Sequence, residues 1–568
     1  MTMLKFVVVI WGLFVSLQLA AYDGRYGWFV QKPPKQIIVC KTGGLDFCER
    51  MLLESLSGLA AQAVNEDRFD EMVWCETQKE SYKQIFQSSI DSLRISVIKR
   101  MDVWELLEYL VLQKVVKGYV LYRVDDSQGE LYIRRKQMDL SSNIATVYAG
   151  LLQGVLVEES LLPKMRKMGL EMLKDARQET PEECFMYCKK HLNNHSALSI
   201  DPQVSNCRDI AIAQKLMLYY DTQALADSIL KWVEPLSPIL GWNCGNEDEY
   251  TGVITRWGHY NTATNWCCNL PVIMAASDKM TPLPISETIP KDTTLFCRKS
   301  LHSFVVSDGD NMQWTMGNFL DNPVYYGAYQ KEDIPVSWTL CPINLSVVST
   351  STWNRIAMAK KENSSIVEYG GGYQYPDLFA MNRPNRKELL VRFAQRINWH
   401  LKKLNVKIFG FICKDVFSKE AQEAFEIYAR EIDGLTGMIA IQYNPYNVGG
   451  GIIWVKNKEG LEIPVLTARY SIWKHLFHDT LCGSPDYVSS LINREADEAQ
   501  LNGMTNLSFT IIHAWSDFSQ IIKAEDNLVQ GYYAGKIANN LLSPLVQNVS
   551  LNELLWHLRI LHKREILN

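Results

Sequence analysis

The hydrophobic pattern of this chain is most regular from residue 301 onward, where short apolar runs alternate with stretches of helical character. Apolar residues at helical spacing mark two of the helices, one around Phe393 and Ile397 and another around Phe425 and Tyr428. The apolar runs are rich in β-branched and aromatic residues, and they are predicted to be strands. Eight such runs occur: 302–306, 334–340, 365–369, 406–412, 437–442, 451–455, 463–467 and 507–512.

Strands that alternate with helices predict a parallel sheet in an α/β fold. Eight of them within residues 299–568 fit a (β/α)8 TIM-like barrel, a fold that typically takes about 250 residues. The fifth, sixth and seventh runs lie too close together for full helices between them, so the predicted barrel is irregular. An open doubly wound sheet is the alternative architecture.

The N-terminal half is predicted to hold smaller domains. Alternating strand-like and helix-like segments predict one or more small α/β domains over residues 22–165. Residues 166–298 are predicted to form a helical or α+β domain that ends in a proline-containing linker. Within it, residues 241–269 are predicted to be a long loop, a feature that is usually functional when it is rich in aromatic residues. Its polar and aromatic residues include Trp242, Glu247, Glu249, Trp257, His259 and Trp266.

The first residues resemble a targeting signal. Lys5 precedes an apolar stretch over residues 6–21 that is short for a membrane span and closes with small residues. We therefore predict a signal peptide over residues 1–21, with a cut near Ala21, and a secreted or periplasmic protein. An uncleaved membrane anchor is the alternative. No other apolar run reaches about 18 residues, so no membrane contact is expected beyond the signal peptide.

Composition narrows the classes of partner. The net charge of -5, with no concentrated block of Lys and Arg, argues against nucleic acid as a partner. The 16 tryptophans and 26 tyrosines are compatible with stacking on sugar rings, although aromatic residues also fill cores. The composition is therefore compatible with a carbohydrate partner but does not require one. It does not indicate the oligomeric state.

The cysteines and the standard motifs point away from cofactor chemistry. The 13 cysteines are compatible with disulfides in an exported protein, but no pairing can be deduced. Cys184 and Cys188 lack a second matching pair for a zinc site. The vicinal Cys267 and Cys268 are predicted to be ordinary cysteines, either buried or paired with other cysteines, rather than a redox centre. The sequence contains no Walker A lysine motif, no H-E-x-x-H and no G-x-S-x-G. No cofactor and no metal site are therefore predicted.

The first predicted barrel strand ends in two carboxylates, Asp308 and Asp310, separated by one glycine. If the strand direction continues, both side chains project to the same side. Two carboxylates at the mouth of a strand are costly unless they bind a cation, share a proton or meet a polar ligand. The alternative is a turn in which Asp and Asn bond the local backbone. The position at the end of a barrel strand favours a site.

Chemistry on a barrel takes place at the carboxyl ends of the strands. The candidate catalytic carboxylates at these ends are Asp308, Asp310, Glu368 and Asp415. The candidate substrate-binding residues are Asn311, Gln313, Trp314, Trp338, Tyr373, Tyr375, Tyr443, Arg469, His513 and Trp515. A glycosidase requires one protonated carboxyl group as acid and a second carboxylate as base or nucleophile. Because Asp308 and Asp310 are so close in sequence, Glu368 is predicted to provide the second catalytic group.

Glu368 leads into the string Gly370-Gly371-Gly372-Tyr373-Gln374-Tyr375-Pro376, which has the form G-x-G-Y-x-Y-P. On this motif the chain resembles the GxGYxYP family of "putative glycoside hydrolases". The resemblance extends to shorter blocks: 307–311, 338–339, 469–473, 143–152 and 208–209. It implies small N-terminal α/β domains before a barrel-like C-terminal domain, and it implies an exported protein. It carries over no catalytic residue, and Asn265 stands before Trp266 where an Asp was expected.

The leading hypothesis is an exported glycoside hydrolase that cleaves a polysaccharide or glycan by carboxylate acid/base catalysis. A second hypothesis is a non-catalytic glycan-binding protein on a degenerate barrel. A third is a metal-dependent carbohydrate deacetylase or phosphodiesterase that uses Asp308, Asp310 and His513. The placement of the carboxyl groups in the folded chain separates these hypotheses.

Overall fold

The structure is a computed structural model, and it describes most of the chain. The described residues are 28–125, 138–221, 223–287, 299–331, 333–443, 446–476, 481–523 and 528–567. The predicted signal peptide lies outside the described residues. Among those described, no helix combines the length and the apolar character that a membrane span requires.

The first of three small N-terminal sheets is fully parallel. Its elements are β1 (Gln36–Lys41), α1 (Phe47–Asn65), β2 (Glu71–Glu76), α2 (Glu80–Leu93), β3 (Ile98–Met101) and α3 (Val103–Leu112). The strand order is β2–β1–β3. Asp46 caps the N-terminus of helix α1: its side chain accepts the backbone N–H of Glu49, and the Glu49 side chain accepts the backbone N–H of Asp46. This reciprocal capping box ends the loop and starts the helix.

The second small sheet is also parallel. Its elements are β4 (Gly118–Tyr122), α4 (Ser141–Leu152), β5 (Gly154–Glu158), α5 (Leu162–Lys167), β6 (Met172–Asp175) and α6 (Pro181–Cys188). The strand order is β5–β4–β6. Cys184 and Cys188 are buried free thiols on α6.

The third small sheet carries elements that reach the C-terminal region. These are β7 (Ala197–Ser199), α7 (Arg208–Gln214), β8 (Met217–Tyr219), α8 (Gln223–Trp232), β9 (Pro238–Gly241), α9 (Glu247–Arg256), β10 (Tyr260–Thr262) and α10 (Leu270–Ser277). The strand order is β10–β9–β7–β8, and all pairs are parallel. Cys267 and Cys268, which precede α10, are buried free thiols.

The predicted loop over residues 241–269 is therefore partly wrong, because it contains helix α9 and strand β10. Helix α9 buries Tyr250 and Ile254, which lie one turn apart, whereas its first turn carries three acidic residues. With so few apolar positions, the helical period is hidden in the sequence.

The C-terminal region folds into one large sheet with helices between many of its strands. Its elements up to the middle are β11 (Ser300–Val306), α11 (Met312–Met316), α12 (Tyr326–Tyr329), β12 (Ser337–Leu340), α13 (Pro342–Val348), α14 (Thr350–Ala359), β13 (Ile366–Tyr369), α15 (Arg386–Leu404), β14 (Ile408–Cys413), α16 (Lys419–Glu431) and β15 (Gly437–Gln442). The remaining elements are β16 (Gly451–Lys456), β17 (Glu462–Thr467), β18 (Tyr470–Ile472), β19 (Cys482–Gly483), α17 (Pro485–Leu501), β20 (Leu507–Ile512), α18 (Tyr532–Asn540), β21 (Val546–Asn548) and α19 (Leu551–Leu567).

All eight predicted C-terminal strands are present, but an eight-stranded TIM barrel is not confirmed. The strand order is β16–β17–β15–β14–β13–β12–β11–β20–β18–β19, with β21 beside β11. The sheet is mixed because β16 runs antiparallel to β17, at the edge. The connections on either side of β16 are too short for the crossover that a parallel strand would need. The result is a large curled mixed sheet.

The curl brings the two halves of this sheet together at residues 468–469. The Ala468 N–H bonds the Ala440 carbonyl at 3.1 Å, and the next N–H, from Arg469, bonds the Phe509 carbonyl at 3.2 Å. Consecutive residues thus pair with β15 and with β20. The interior is filled by apolar side chains, from leucines of α19 at one end to tyrosines that follow β13 and β15 at the other. The interior residues that line the site described next are Tyr369, Tyr373, Ile412 and Tyr446, at the carboxyl ends of the strands.

Candidate functional site

A cavity of about 290 Å³ lies at the carboxyl ends of β11, β13 and β14, beneath segments of the third small sheet. Strand ends of the curled sheet form its floor, and residues that follow β9 and β10 form its roof. Its lining residues are Trp242, Glu247, Ala263, Asn265, Trp266, Ser307, Asp308, Asp310, Asn311, Gln313, Tyr369, Tyr373, Ile412, Tyr446 and Trp515. Three carboxyl groups and six aromatic rings therefore face one small space.

The turn after β11 places two of the carboxyl groups. Asp308 adopts a left-handed backbone conformation, with φ at 68°. A Cβ at Gly309 would lie 1.6 Å from the carbonyl oxygen of Thr339 on β12, so only glycine fits this close approach. The Asn311 side chain then accepts the Trp314 N–H at 3.2 Å and starts helix α11. The strand-end turn thus directs Asp308 and Asp310 into the cavity.

The two aspartates have different surroundings. The Oδ2 of Asp308 accepts the backbone N–H of Ala514 at 3.1 Å and also the hydroxyl of Ser307. Both donors stabilise negative charge on this carboxylate. Burial raises the pKa of Asp310 well above its usual range, and the nearby carboxylates of Asp308 and Glu247 raise it further. The surroundings of Asp310 therefore favour its protonated form, whereas two hydrogen-bond donors contact the Asp308 carboxylate.

The third carboxyl group, Glu247, comes from the first turn of α9 in the roof. The hydroxyl of Tyr373 donates a hydrogen bond to its Oε1. Burial raises the pKa of Glu247 from 4.5 to about 7, with a further contribution from the charge of Asp308, whereas the Tyr373 hydrogen bond lowers it. A carboxyl group with this pKa exchanges its proton near neutral pH, as a general acid must.

The glycine-tyrosine loop carries Tyr373 into the cavity. Gly370, Gly371 and Gly372 have φ values of 77°, 71° and 112°, a region that glycine adopts without steric cost. A Cβ at Gly372 would lie 2.1 Å from a ring carbon of Tyr260. Tyr373 exchanges two backbone hydrogen bonds with Asn261 of β10, at 2.8 and 3.0 Å. The loop therefore joins the floor of the cavity to the third small sheet.

A second connection joins roof and floor directly after β10. The backbone N–H of Gln313 donates to the Ala263 carbonyl at 3.1 Å, and the Gln313 Oε1 accepts the Trp266 N–H at 2.7 Å. Trp266 is 55% exposed, so its ring is available at the cavity rim. Both connections use the backbone of the third small sheet, which makes that sheet part of the site.

Two family models match this chain. The model described as "GxGYxYP putative glycoside hydrolase C-terminal domain" matches residues 299–534, and the "GxGYxYP_N second domain" matches residues 116–196. The chain belongs to the GxGYxYP family. The resemblance drawn from the motif at residues 370–376 is thus confirmed.

This GxGYxYP-family protein is also similar to a solved structure, the crystal structure of "a putative hydrolase from Bacteroides thetaiotaomicron VPI-5482". The sequence identity is 19%, the match covers 94% of this chain and 96% of the other, and the TM-score is 0.73. At this identity the likeness shows a shared fold. No curated protein matches the chain.

Two of the four predicted catalytic carboxylates, Asp308 and Asp310, lie in the cavity of this family member, and the other two lie outside it. Glu368 is fully buried, its Oε2 accepts the Ile343 N–H at 2.8 Å, and burial raises its pKa to about 8. It stands behind the glycine-tyrosine loop. Asp415 is exposed, and its Oδ1 accepts the Phe417 N–H at 2.9 Å within its own turn.

Of the predicted binding residues, Asn311, Gln313, Tyr373 and Trp515 line the cavity. The other aromatic candidates lie behind it. Trp314, which is 7% exposed, packs against Trp515 with ring centroids 4.4 Å apart.

Two further aromatic candidates, Tyr375 and Tyr443, pack edge-to-face behind the lining residue Tyr373. Tyr375 packs edge-to-face on Tyr373 at 5.8 Å, and Tyr443 packs on Tyr375 at 6.0 Å. Trp338 is 1% exposed and is surrounded by the rings of Phe319, Tyr326 and Tyr329.

The remaining two candidates also lie outside the lining. Arg469 forms an ion pair with Glu495 at 2.6 Å. His513 stacks on Trp473 at 4.9 Å, Trp473 stacks on the lining residue Tyr446 at 4.5 Å, and burial lowers the pKa of His513. Within the described part of the chain, no three His, Cys, Asp or Glu side chains are grouped so that they could hold a metal ion.

Sequence reasoning missed several lining residues. Glu247, Trp242 and Trp266 lie in the segment that was predicted to be functional, but nothing in the sequence connected that segment to Asp308. Trp242 stacks on Tyr373 with the ring planes 10° apart, at a centroid distance of 6.4 Å. Asn265, where an Asp was expected, also lines the cavity. The available signal was the unusual run of Trp, Asn and Glu in residues 241–269.

Proposed function

We propose that this GxGYxYP-family protein is an exported glycoside hydrolase whose active site is the cavity beneath α9. The observation that carries the proposal is the meeting of Glu247, Asp308 and Asp310 in one aromatic-lined space, with surroundings that separate their protonation states. Titratable groups whose environments push their pKa values apart are the usual mark of an acid and a base in one site. The label of the family model supports the same class of reaction.

In this proposal Glu247 is the general acid. Its pKa of about 7 keeps a supply of the protonated form near neutral pH, and that proton goes to the oxygen of the leaving group. Asp308 is the charged carboxylate that acts as base or nucleophile, since two donors stabilise its negative charge. Asp310, whose pKa is raised by burial, would donate a hydrogen bond to a substrate hydroxyl.

The aromatic residues would hold the sugar. Trp242, Trp266, Tyr446 and Trp515 line the cavity with ring faces or edges that can pack on the apolar side of a pyranose. The curled sheet would serve as a barrel-like scaffold, with the chemistry at the carboxyl ends of its strands. Glu368 would then support the glycine-tyrosine loop rather than the reaction itself.

The decisive experiment measures hydrolysis of a broad panel of aryl glycosides and oligosaccharides by the wild-type protein and three variants. Asp308→Asn and Glu247→Gln should each lower kcat/KM by about 10²- to 10⁴-fold, the usual size of a lost acid or base. Asp415→Asn is the matched control, because this exposed carboxylate lies outside the cavity. Circular dichroism should show all three variants folded like the wild type.

Two results would oppose the proposal. If Asp308→Asn or Glu247→Gln hydrolysed substrates at the wild-type rate, the cavity would not be the active site. Tight binding of a glycan with no turnover across the panel would favour the alternative of a non-catalytic glycan-binding protein.

Export is part of the proposal and rests on residues 1–21 alone. Expression of the full chain with a C-terminal tag, followed by N-terminal sequencing of the protein outside the cytoplasm, should find a start close to residue 22. Recovery of an intact N-terminus in the membrane fraction would instead indicate an anchor.

A further inference from the structure

We infer that the cavity is a blind pocket for one terminal sugar that bears no negative charge, so that the protein removes single sugars from a chain end. The inference rests on the proposed function, because it names the substrate class of the same site. Three features of the pocket carry it: its closure along β10, its volume and the charge of its lining.

The pocket is closed by connections between its roof and its floor. Tyr373 and Asn261 of β10 exchange backbone hydrogen bonds of 2.8 and 3.0 Å. Directly after β10, Gln313 bonds both the Ala263 carbonyl, at 3.1 Å, and the Trp266 N–H, at 2.7 Å. Three of these four hydrogen bonds join backbone to backbone. The roof is thus tied to the floor along β10, and a polysaccharide that continued through the cavity past β10 would have to break these connections.

The volume agrees with a single ring. The cavity measures about 290 Å³, which is at the lower limit of roughly 300 Å³ for small-molecule pockets. The three carboxyl groups lie on its walls, so the bond to be cleaved must lie inside it. A terminal sugar can enter with its leaving group directed outward, whereas an internal sugar would need room for chain on both sides.

The lining also selects by charge. Among the described residues that line the pocket, three are acidic and none is Lys, Arg or His. Lys414, a basic residue of the surrounding shell, forms an ion pair with Asp248 at 2.6 Å and lies over the ring of Tyr443. A sugar carboxylate would therefore face the carboxylate of Asp308 with no cation in the lining to oppose it, and this like-charge contact disfavours binding. A neutral sugar or an amino sugar meets no such cost.

The first test compares matched pairs of p-nitrophenyl glycosides that differ only at C6, such as a glucoside and a glucuronide or a galactoside and a galacturonide. The uncharged member of the best pair should have a kcat/KM at least about 100-fold higher than its uronide. The activity must disappear in Asp308→Asn, which assigns it to this pocket. A uronide that is cleaved as fast as its neutral partner, or faster, overturns the charge selection.

The second test follows the products of oligosaccharides that are labelled at the reducing end and built from the sugar found in the first test. Removal of one sugar at a time should shorten the labelled chain in single steps from the first time point. Fragments of intermediate length at the earliest time points would overturn the blind pocket while leaving the glycosidase proposal intact. If no glycoside in the panel is hydrolysed, the proposed function fails and the inference fails with it.

Discussion

The replacement of Glu247 by Gln tests the acid-base assignment in two independent ways. Glutamine keeps the shape of the side chain and can still accept the hydrogen bond from the Tyr373 hydroxyl, but it cannot transfer a proton. The change should therefore remove activity. It should also alter how the stability of the fold depends on pH, because the wild-type side chain is held in a surrounding that disfavours its charged form.

The size of the stability effect follows from the two pKa values. A carboxyl group whose pKa rises from 4.5 in the unfolded chain to about 7 in the folded protein binds its proton more tightly when folded. Its contribution is fully present below pH 4.5, and it is lost as the pH rises through 7. Between pH 5 and pH 8 the loss for one such group is about 2.5 kcal/mol. Glu247→Gln has no such group, so the variant should lose less stability over this interval.

Urea unfolding at pH 5 and pH 8 measures this difference. The drop in the free energy of unfolding should be smaller by about 2.5 kcal/mol in Glu247→Gln than in the wild type. Glu249→Gln is the matched control, because Glu249 is exposed on the same helix, and it should behave like the wild type. Equal drops in the wild type and Glu247→Gln would show that Glu247 is not held protonated, and the acid assignment would fall.

Three further changes separate the roles in the site. Tyr373→Phe removes a hydrogen bond that stabilises the charged form of Glu247, so the pKa of Glu247 should rise above about 7 and the alkaline limb of the kcat/KM profile should move to higher pH; an unmoved limb would contradict the contact. Glu368→Gln should keep kcat/KM within about 10-fold of wild type, because a buried carboxyl group outside the cavity is replaced by its isostere. A loss of about 10²-fold or more would show that Glu368 takes part in the reaction. Gly309→Ala places a Cβ 1.6 Å from a carbonyl oxygen and should lower the free energy of unfolding by more than about 2 kcal/mol in chemical denaturation, whereas Gly43→Ala, in open space, should not.

Eight of the eleven strands of the C-terminal sheet were predicted from the sequence. All of these except the edge strand β16 are largely buried on both faces, which leaves a local record in consecutive apolar residues. The short strands β18, β19 and β21 were not predicted. The same locality explains the prediction of Asp308 and Asp310 as a site, since a carboxylate pair directly after a buried strand is visible within ten residues. The three consecutive glycines at 370–372 likewise indicated a backbone conformation that other residues rarely adopt, and all three have positive φ values.

The order and the pairing directions of the strands could not be predicted from the sequence. Run 451–455 has the composition of a barrel strand, yet β16 pairs antiparallel at the edge of the sheet. Pairing direction depends on the partner strand and on the length of the connection, and the local apolar pattern records neither.

Only some of the site residues could be predicted from the sequence. Asp308 was found because it directly follows a buried strand. Glu247 lies on helix α9, next to a different sheet, and the sequence indicated that its segment was functional without connecting it to Asp308. The pKa of Glu247, about 7, arises from the burial of its side chain and from the nearby charge of Asp308. Glu368 shows the converse, because a carboxylate at a strand end is fully buried behind the glycine-tyrosine loop. Local sequence thus determined which residues could ionise, and tertiary burial decided which of them share a cavity and which hold their protons.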